Sequence, residues 1–154
     1  MIERINDTDA ALIRGLQADG RRTNRSLADS VGLAPSTTLQ RVRDLEDRGA
    51  ITGYHAEVDL RHLGRAVEAM VFVRLRPKTD DVVQSFIDHV WAMPEVLAVH
   101  LISGAEDALV HVAVPDTDSL RRAVLREISD HHAVVDERTA LVFEHRRKHV
   151  IDPA

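Results

Sequence analysis

Apolar positions in the first fifty residues recur at helical spacing, in three short runs. Asn6 with Asp9 three residues on fits a helix start, and Thr8, Leu12, Ile13 and Leu16 form one stripe before Asp19-Gly20 stops it. Thr23 is placed to cap a second helix with Leu27, Ala28 and Val31 inward, ended by Gly32 in the left-handed conformation that glycine tolerates. Pro35, with its fixed φ, suits the first turn of a third helix over residues 35–48, with Leu39, Val42 and Leu45 inward and Gly49 as its stop. Two helices joined by a short turn containing Gly predict a helix-turn-helix.

Beyond residue 49 the period changes. Residues 49–59, "GAITGYHAEVD", read as a turn and a strand-like stretch, either a wing or a connection, and 60–64 as a loop. Val67, Ala69, Val71, Val73 and Leu75 then alternate with Glu68, Met70, Phe72, Arg74 and Arg76, the period of a strand, until Pro77. Thr79 is placed to cap a helix with Asp80 and Asp81 in its first turn and Val82, Val83, Phe86 and Val90 as its stripe. "VLAVHLIS" and "ALVHVAV" flank a hairpin at Gly104-Ala105-Glu106-Asp107. A helix follows from Asp116 or Thr117 with Leu120, Val124 and Ile128 on one face, then a strand including 139–143. The order strand, helix, strand, strand, helix, strand predicts a ferredoxin-like βαββαβ domain, and the fold class is α+β. The boundary falls near residue 60, giving a helix-turn-helix domain with a connecting strand over 1–60 and a ferredoxin-like domain over 61–154. Ala98, His100, Ile102, Leu109 and His111 make the uncovered sheet face too apolar for bare water, which calls for dimerisation through the sheet.

Charge complicates this picture. With 20 Lys+Arg against 25 Asp+Glu the net charge is -5, which repels a polyanion as a whole. The acidity is uneven: residues 1–53 balance, with eight Arg and eight acids, and 54–154 carry the whole deficit. Arg21, Arg22, Arg25, Arg41 and Arg43 can form a locally positive face, which suffices because phosphate contacts act over about a Debye length, ~8 Å at physiological salt. The outward face of the third helix carries Ser36, Thr37, Gln40, Arg41 and Asp44; short donors and acceptors near the N-terminus of such a helix meet base edges. A plain amphipathic helix facing water shows the same polarity, and helix-turn-helix topology also occurs in proteins that never touch DNA.

Other chemistry is sparse. Cysteine is absent, which excludes disulfides, thiolate metal sites and a Cys nucleophile. No apolar run reaches the ~20 residues that span a bilayer, and Met1-Ile2-Glu3-Arg4 shows no signal-peptide pattern, so a cytoplasmic location without membrane contact is expected. Nine histidines raise the question of a metal. A two-residue hairpin loop at 105–106 would set His100 opposite His111, but two ligands fall short of the usual three or four, so a core or interface pair is the better reading, and no metal or other cofactor is expected. No phosphate loop or nucleophile elbow occurs.

The segments "DTDAALIRGLQADGRRT", "LADSVGLAPSTTLQRVRDLEDRGAITGYHAEVD", "LG" at 63–64 and "ISGAEDALVHV" give the chain a resemblance to the Lrp/AsnC (leucine-responsive/asparagine-responsive) family of transcription regulators over residues 5–148. The resemblance implies that 1–60 is a winged helix-turn-helix and 61–154 a ferredoxin-like effector-binding and oligomerisation domain, in a regulator of double-stranded DNA, not an enzyme, assembled as homodimers and often tetramers or octamers, with an amino acid or similar small effector bound between subunits. It assigns Ser36, Thr37, Thr38 and Arg41 to the recognition helix, Arg21 to the Arg of "DGR", and Ser103, Gly104 and Asp107 to the effector turn. Ala34 stands where a capping Ser is usual, with Thr37 and Gln40 as a possible later capping pair; Ser103 stands for Thr, and Ala105-Glu106 and Ala108 stand where an aromatic is common. A free amino acid needs a carboxylate such as Asp107 for its ammonium and backbone N–H groups such as those near Gly104 for its carboxylate; Glu106 adds a second negative charge. Acids also simply form turns. Two alternatives remain: a siroheme-decarboxylase-like enzyme of the same fold, and a protein-interaction module.

Overall fold

The computed structural model describes residues 4–154, so residues 1–3, on which the signal-peptide reading partly rests, lie outside the described residues. The chain divides into two compact units, Met1–Glu57 with Arg146–Ala154, and Val58–His145. Residues 146–154, grouped by the sequence pattern with the rear domain, thus pack with the front one.

In the first unit, α1 (Asp7–Ala18) begins where Asn6 Oδ1 accepts the Asp9 N–H at 2.9 Å while Asn6 Nδ2 donates to Asp9 Oδ2 at 3.0 Å. This reciprocal pair satisfies an otherwise orphaned N–H of the first turn. α2 (Asn24–Val31) is capped by Thr23, whose side chain accepts from Ser26 N, and ends at Gly32 with φ 67°. Gly32-Leu33-Ala34 turns the chain into α3 (Pro35–Asp47), where Pro occupies the first turn but Ala34 makes no side-chain cap. Gln40 does not supply one either, since its amide donates to Asp44 Oδ1 at 2.8 Å.

The inward stripe of α3 differs from the expected one. Leu45 is fully buried, but Leu39 is 41% exposed and Thr38 is fully buried in its place. Thr38 and Leu45 are seven residues apart, almost two full helical turns, so they share one line along the helix, whereas steps of three drift off it. A threonine can occupy that line because its Oγ1 donates to Ala34 O at 3.2 Å and is not orphaned. Residues 51–59 form no strand, so the expected wing is an unpaired connection. Segment 146–154 is fastened to α1: Asp152 Oδ1 accepts from Arg14 at 2.8 and 2.5 Å, and the Gln17 side chain exchanges two hydrogen bonds with the Ile151 backbone at 2.7 and 3.0 Å.

The second unit contains β1 (Val67–Leu75), α4 (Asp80–Trp91), β2 (Val96–Leu101), β3 (Ala108–Val114), α5 (Thr117–Arg122) continuing into a π-helical turn (Ala123–Ile128), and β4 (Val134–Val142). The sheet order β2-β3-β1-β4, antiparallel at every pairing, is the expected ferredoxin-like arrangement. Ala69, Val71, Val73 and Leu75 of β1 join Val110, Val112 and Val114 of β3, Phe86 and Val90 of α4, and Leu120, Val124 and Ile128 in one core. Asp116 caps α5 by accepting from Ser119 N, whereas Thr79 makes no side-chain bond at α4. The opposite face of β1 carries Glu68, Met70 and Phe72, all only partly buried, with Arg138 stacked 4.1 Å above the Phe72 ring.

The hairpin register also departs from expectation. Leu101 pairs with Ala108 and His100 with Leu109, so the loop spans 102–107 and His111 faces Ala98. His111 instead reaches across to β1, with Nε2 3.0 Å from Glu68 Oε2. The Asp107 carbonyl accepts the Ile102 N–H at 3.0 Å while its own N–H donates to the Val73 carbonyl of β1 at 2.8 Å, so the hairpin closes at 102 and 107 rather than at 104 and 107.

Candidate nucleic-acid interface and effector loop

The N-terminal turns of α3 present Ser36, Thr37, Gln40 and Arg43 to the exterior. Asn24 Nδ2 donates to Pro35 O at 2.8 Å, fixing the start of α2 against the start of α3. Thr38, expected among the base-reading residues, is inside and has no surface to offer a base.

Arg41 is half-buried and does more than face outward. Asp9 on α1 is buried, its side chain only 6% exposed, and it bridges Arg41 at 3.0 Å and Arg48 at 2.9 Å. A buried carboxylate is tolerated only when charge and hydrogen bonds compensate it, and two guanidiniums with the Asn6 amide do so here. Arg41 therefore has one face committed to α1 and the rest of its guanidinium free to donate outward. Arg22 is likewise engaged, donating to Ser26 Oγ at 3.0 Å and Ser26 O at 3.3 Å, and it packs beside Gly15. Arg21, Arg25 and Arg43 have exposed side chains with no ion pair among the described residues. Sequence reasoning left Arg43 out of the reading face and missed Asp9. The signal for Asp9 was its spacing, three residues before Leu12 on the inward side of α1.

The predicted effector residues cluster in the 102–107 loop. Gly104 has φ 148°, a conformation that other residues rarely adopt. Ser103 and Gly104 are exposed and Glu106 is partly buried, 3.4 Å from Arg138. Asp107 is fully engaged: its carboxylate accepts the Leu75 N–H at 2.9 Å and lies 2.5 Å from Lys78 Nζ and 3.6 Å from Arg76. Burial works to raise its pKa, but hydrogen bonds from Lys78 and Leu75 and the charges of Lys78 and Arg76 outweigh it and hold the carboxyl below its ordinary range. The loop is pinned to the end of β1 through this side chain and the Asp107 N–H on the Val73 carbonyl, with Arg74 Nε donating to Ala105 O at 3.2 Å as a further tie.

The structure thus joins a helix-turn-helix unit to an antiparallel α+β unit with an ordered loop, a two-part plan that comparisons with known proteins place in a family. The chain matches the family model described as the AsnC-type helix-turn-helix domain over residues 5–46 and that of the Lrp/AsnC ligand binding domain over 68–150. It is 36% identical over 143 residues to the HTH-type transcriptional regulator AldR of Mycolicibacterium smegmatis, covering 93% of this chain and 84% of that one. It is 35% identical to the leucine-responsive regulatory protein of Escherichia coli, covering 88% and 83%. A solved transcriptional regulator of Neisseria meningitidis in complex with L-Met superposes with a TM-score of 0.87 at 30% identity, covering 94% of each chain. The chain belongs to the Lrp/AsnC family of transcriptional regulators.

Proposed function

We propose that this regulator binds specific duplex sequences through α3 as a homodimer or a larger assembly such as a tetramer or octamer, and that an amino acid or similar small molecule at the 102–107 loop modulates it. The observation that carries the DNA reading is the outward Ser36, Thr37, Gln40 and Arg43 set, buttressed from behind by the Asp9–Arg41–Arg48 bridge. Donors held on a rigid helix read base edges with less entropic loss than donors on a mobile loop. Arg21, Arg25 and Arg41 supply phosphate contacts around that face.

For the effector, Asp107 acts as the anchor that shapes the loop, since both its oxygens are already in use. Glu106, held only loosely by Arg138, is then the carboxylate open to a ligand ammonium, and Ser103 with the exposed backbone at Gly104 suits the ligand carboxylate. The L-Met bound to the Neisseria relative supports a small amino-acid ligand for this chain. Dimerisation through the face bearing Met70, Phe72 and Leu109 would remove apolar surface that a lone subunit leaves wet. No helix among the described residues is long and apolar enough to cross a membrane, in keeping with a cytoplasmic site of action on the genome.

Selection of bound fragments from genomic DNA, with and without a panel of free amino acids, tests both parts. Enrichment of a common motif, with occupancy shifted by at least one amino acid, is the expected result; equal retention of all fragments would reduce the protein to an interaction module.

A further inference from the structure

The unit that carries the helix-turn-helix is completed by segment 146–154, and this changes its charge. Residues 1–57 with 146–154 hold eleven Lys and Arg against ten acids, a net of +1, while 58–145 hold nine against fifteen, a net of -6. Three cations in succession, Arg146-Arg147-Lys148, produce that difference. The segment lies along an open cleft of about 1030 Å³, whose other walls are the end of α1 with Gly20 and Arg21, and residues 53–57.

The acids near this cleft are already occupied. Asp19 accepts the Arg21 N–H at 2.9 Å, and Glu57 lies 3.1 Å from His149 Nε2. The Arg21, Arg147 and Lys148 side chains are exposed and have no ion pair among the described residues. Arg21 also connects the cleft to the reading face, because it stands two residues before Thr23, the cap of α2, and the start of α2 is bonded to the start of α3 through Asn24.

Resting on the DNA-binding reading above, we infer that Arg147 and Lys148 with Arg21 form a second phosphate-contacting surface on each head, so that residues distant in sequence from the helix-turn-helix clamp the duplex backbone beside it. A duplex carries a phosphate charge about every 1.7 Å of axis, so a head seated with α3 in the groove brings neighbouring surface against the backbone. The segment is held in place by Arg14–Asp152 and the Gln17–Ile151 pair, so these cations enter the complex already positioned.

The test is the salt dependence of duplex binding by the full chain, comparing the native protein with the double variant R147A/K148A and with R147K, on a selected fragment and on a scrambled duplex. Each phosphate contact contributes about 0.9 to the slope of log K against log salt, so the double variant should lose about 2 per head and about 4 for a two-headed complex. The ratio between selected and scrambled duplex should stay unchanged, because phosphate contacts carry no sequence information. R147K, which keeps the charge, should keep the native slope. An unchanged slope in the double variant, with a native melting curve, would overturn the inference while leaving DNA binding intact. A native protein that retains no duplex at low salt would overturn the DNA-binding reading as well.

Discussion

Two adjacent threonines on α3 show how one residue step separates a reading position from a core position. Thr37 is exposed and Thr38 is fully buried with its hydroxyl on Ala34 O. We expect Thr38→Val to leave the DNA footprint unchanged and to alter stability by no more than about 1 kcal/mol, since shape is kept and one modest hydrogen bond is lost. Thr37→Ala should weaken specific binding without moving the melting temperature. Footprinting and thermal melting of both variants check the pair, and a lost footprint in Thr38→Val would show that α3 is rotated from the orientation described. Sequence spacing placed the outward face correctly at Ser36, Thr37 and Gln40, but it could not tell which threonine turns in. That choice depends on where a buried hydroxyl finds an acceptor.

At the scale of elements, the helix starts differ in quality. Asn6, Thr23 and Asp116 cap their helices with side-chain oxygens, but α3 begins at Ala34 with none. Ala34→Ser should therefore stabilise the first unit by about 0.5–2 kcal/mol, read as a rise in its melting temperature. A second consequence concerns the turn after the π-helical segment, where His131 packs edge-on to Phe86 at 5.4 Å and lies 4.5 Å from His132 and 5.1 Å from His89. Its Nδ1 accepts from the Ala133 N–H at 3.3 Å, a bond that a proton on Nδ1 would break. Burial, then the neighbouring His132 and His89, lower its pKa from 6.5. Because the folded value lies below the unfolded one, the unfolded chain binds the extra proton first. Stability from this group is full above pH 6.5 and falls as pH drops through 6.5 toward the folded value. Melting curves from pH 7.5 to 5.5 should show the decline, and His131→Gln should flatten it.

For the whole molecule the open sheet face matters most. Phe72 sits at the centre of that face beneath Arg138, between Leu109 on β3 and Arg138 on β4. Phe72→Asp, on the face away from the unit's own core, should leave the ferredoxin-like unit folded and convert the assembly to single subunits. Sedimentation would show the change in mass, and duplex affinity should fall with it, since two linked heads bind far more tightly than one. A variant that stays oligomeric would place the subunit contact elsewhere.

The sequence by itself determined the order of elements apart from the absent strand at 51–59, the folds of both units and the family, because periods of 3.6 and 2.0, Gly and Pro punctuation and a long uninterrupted motif are local signals. It also marked the polar start of α3 and a turn at 104–107, which the structure widens to a loop over 102–107. Only the tertiary structure decided what long-range pairing controls: the tie from Asp9 to Arg41 and Arg48, the commitment of Asp107 to Lys78 and Leu75, the hairpin register, and the grouping of 146–154 with the front unit. All but the hairpin register join residues far apart along the chain, and that register is tied to β1 through Asp107. Their energies depend on burial and on which partner arrives, and neither quantity is written in any single stretch of residues.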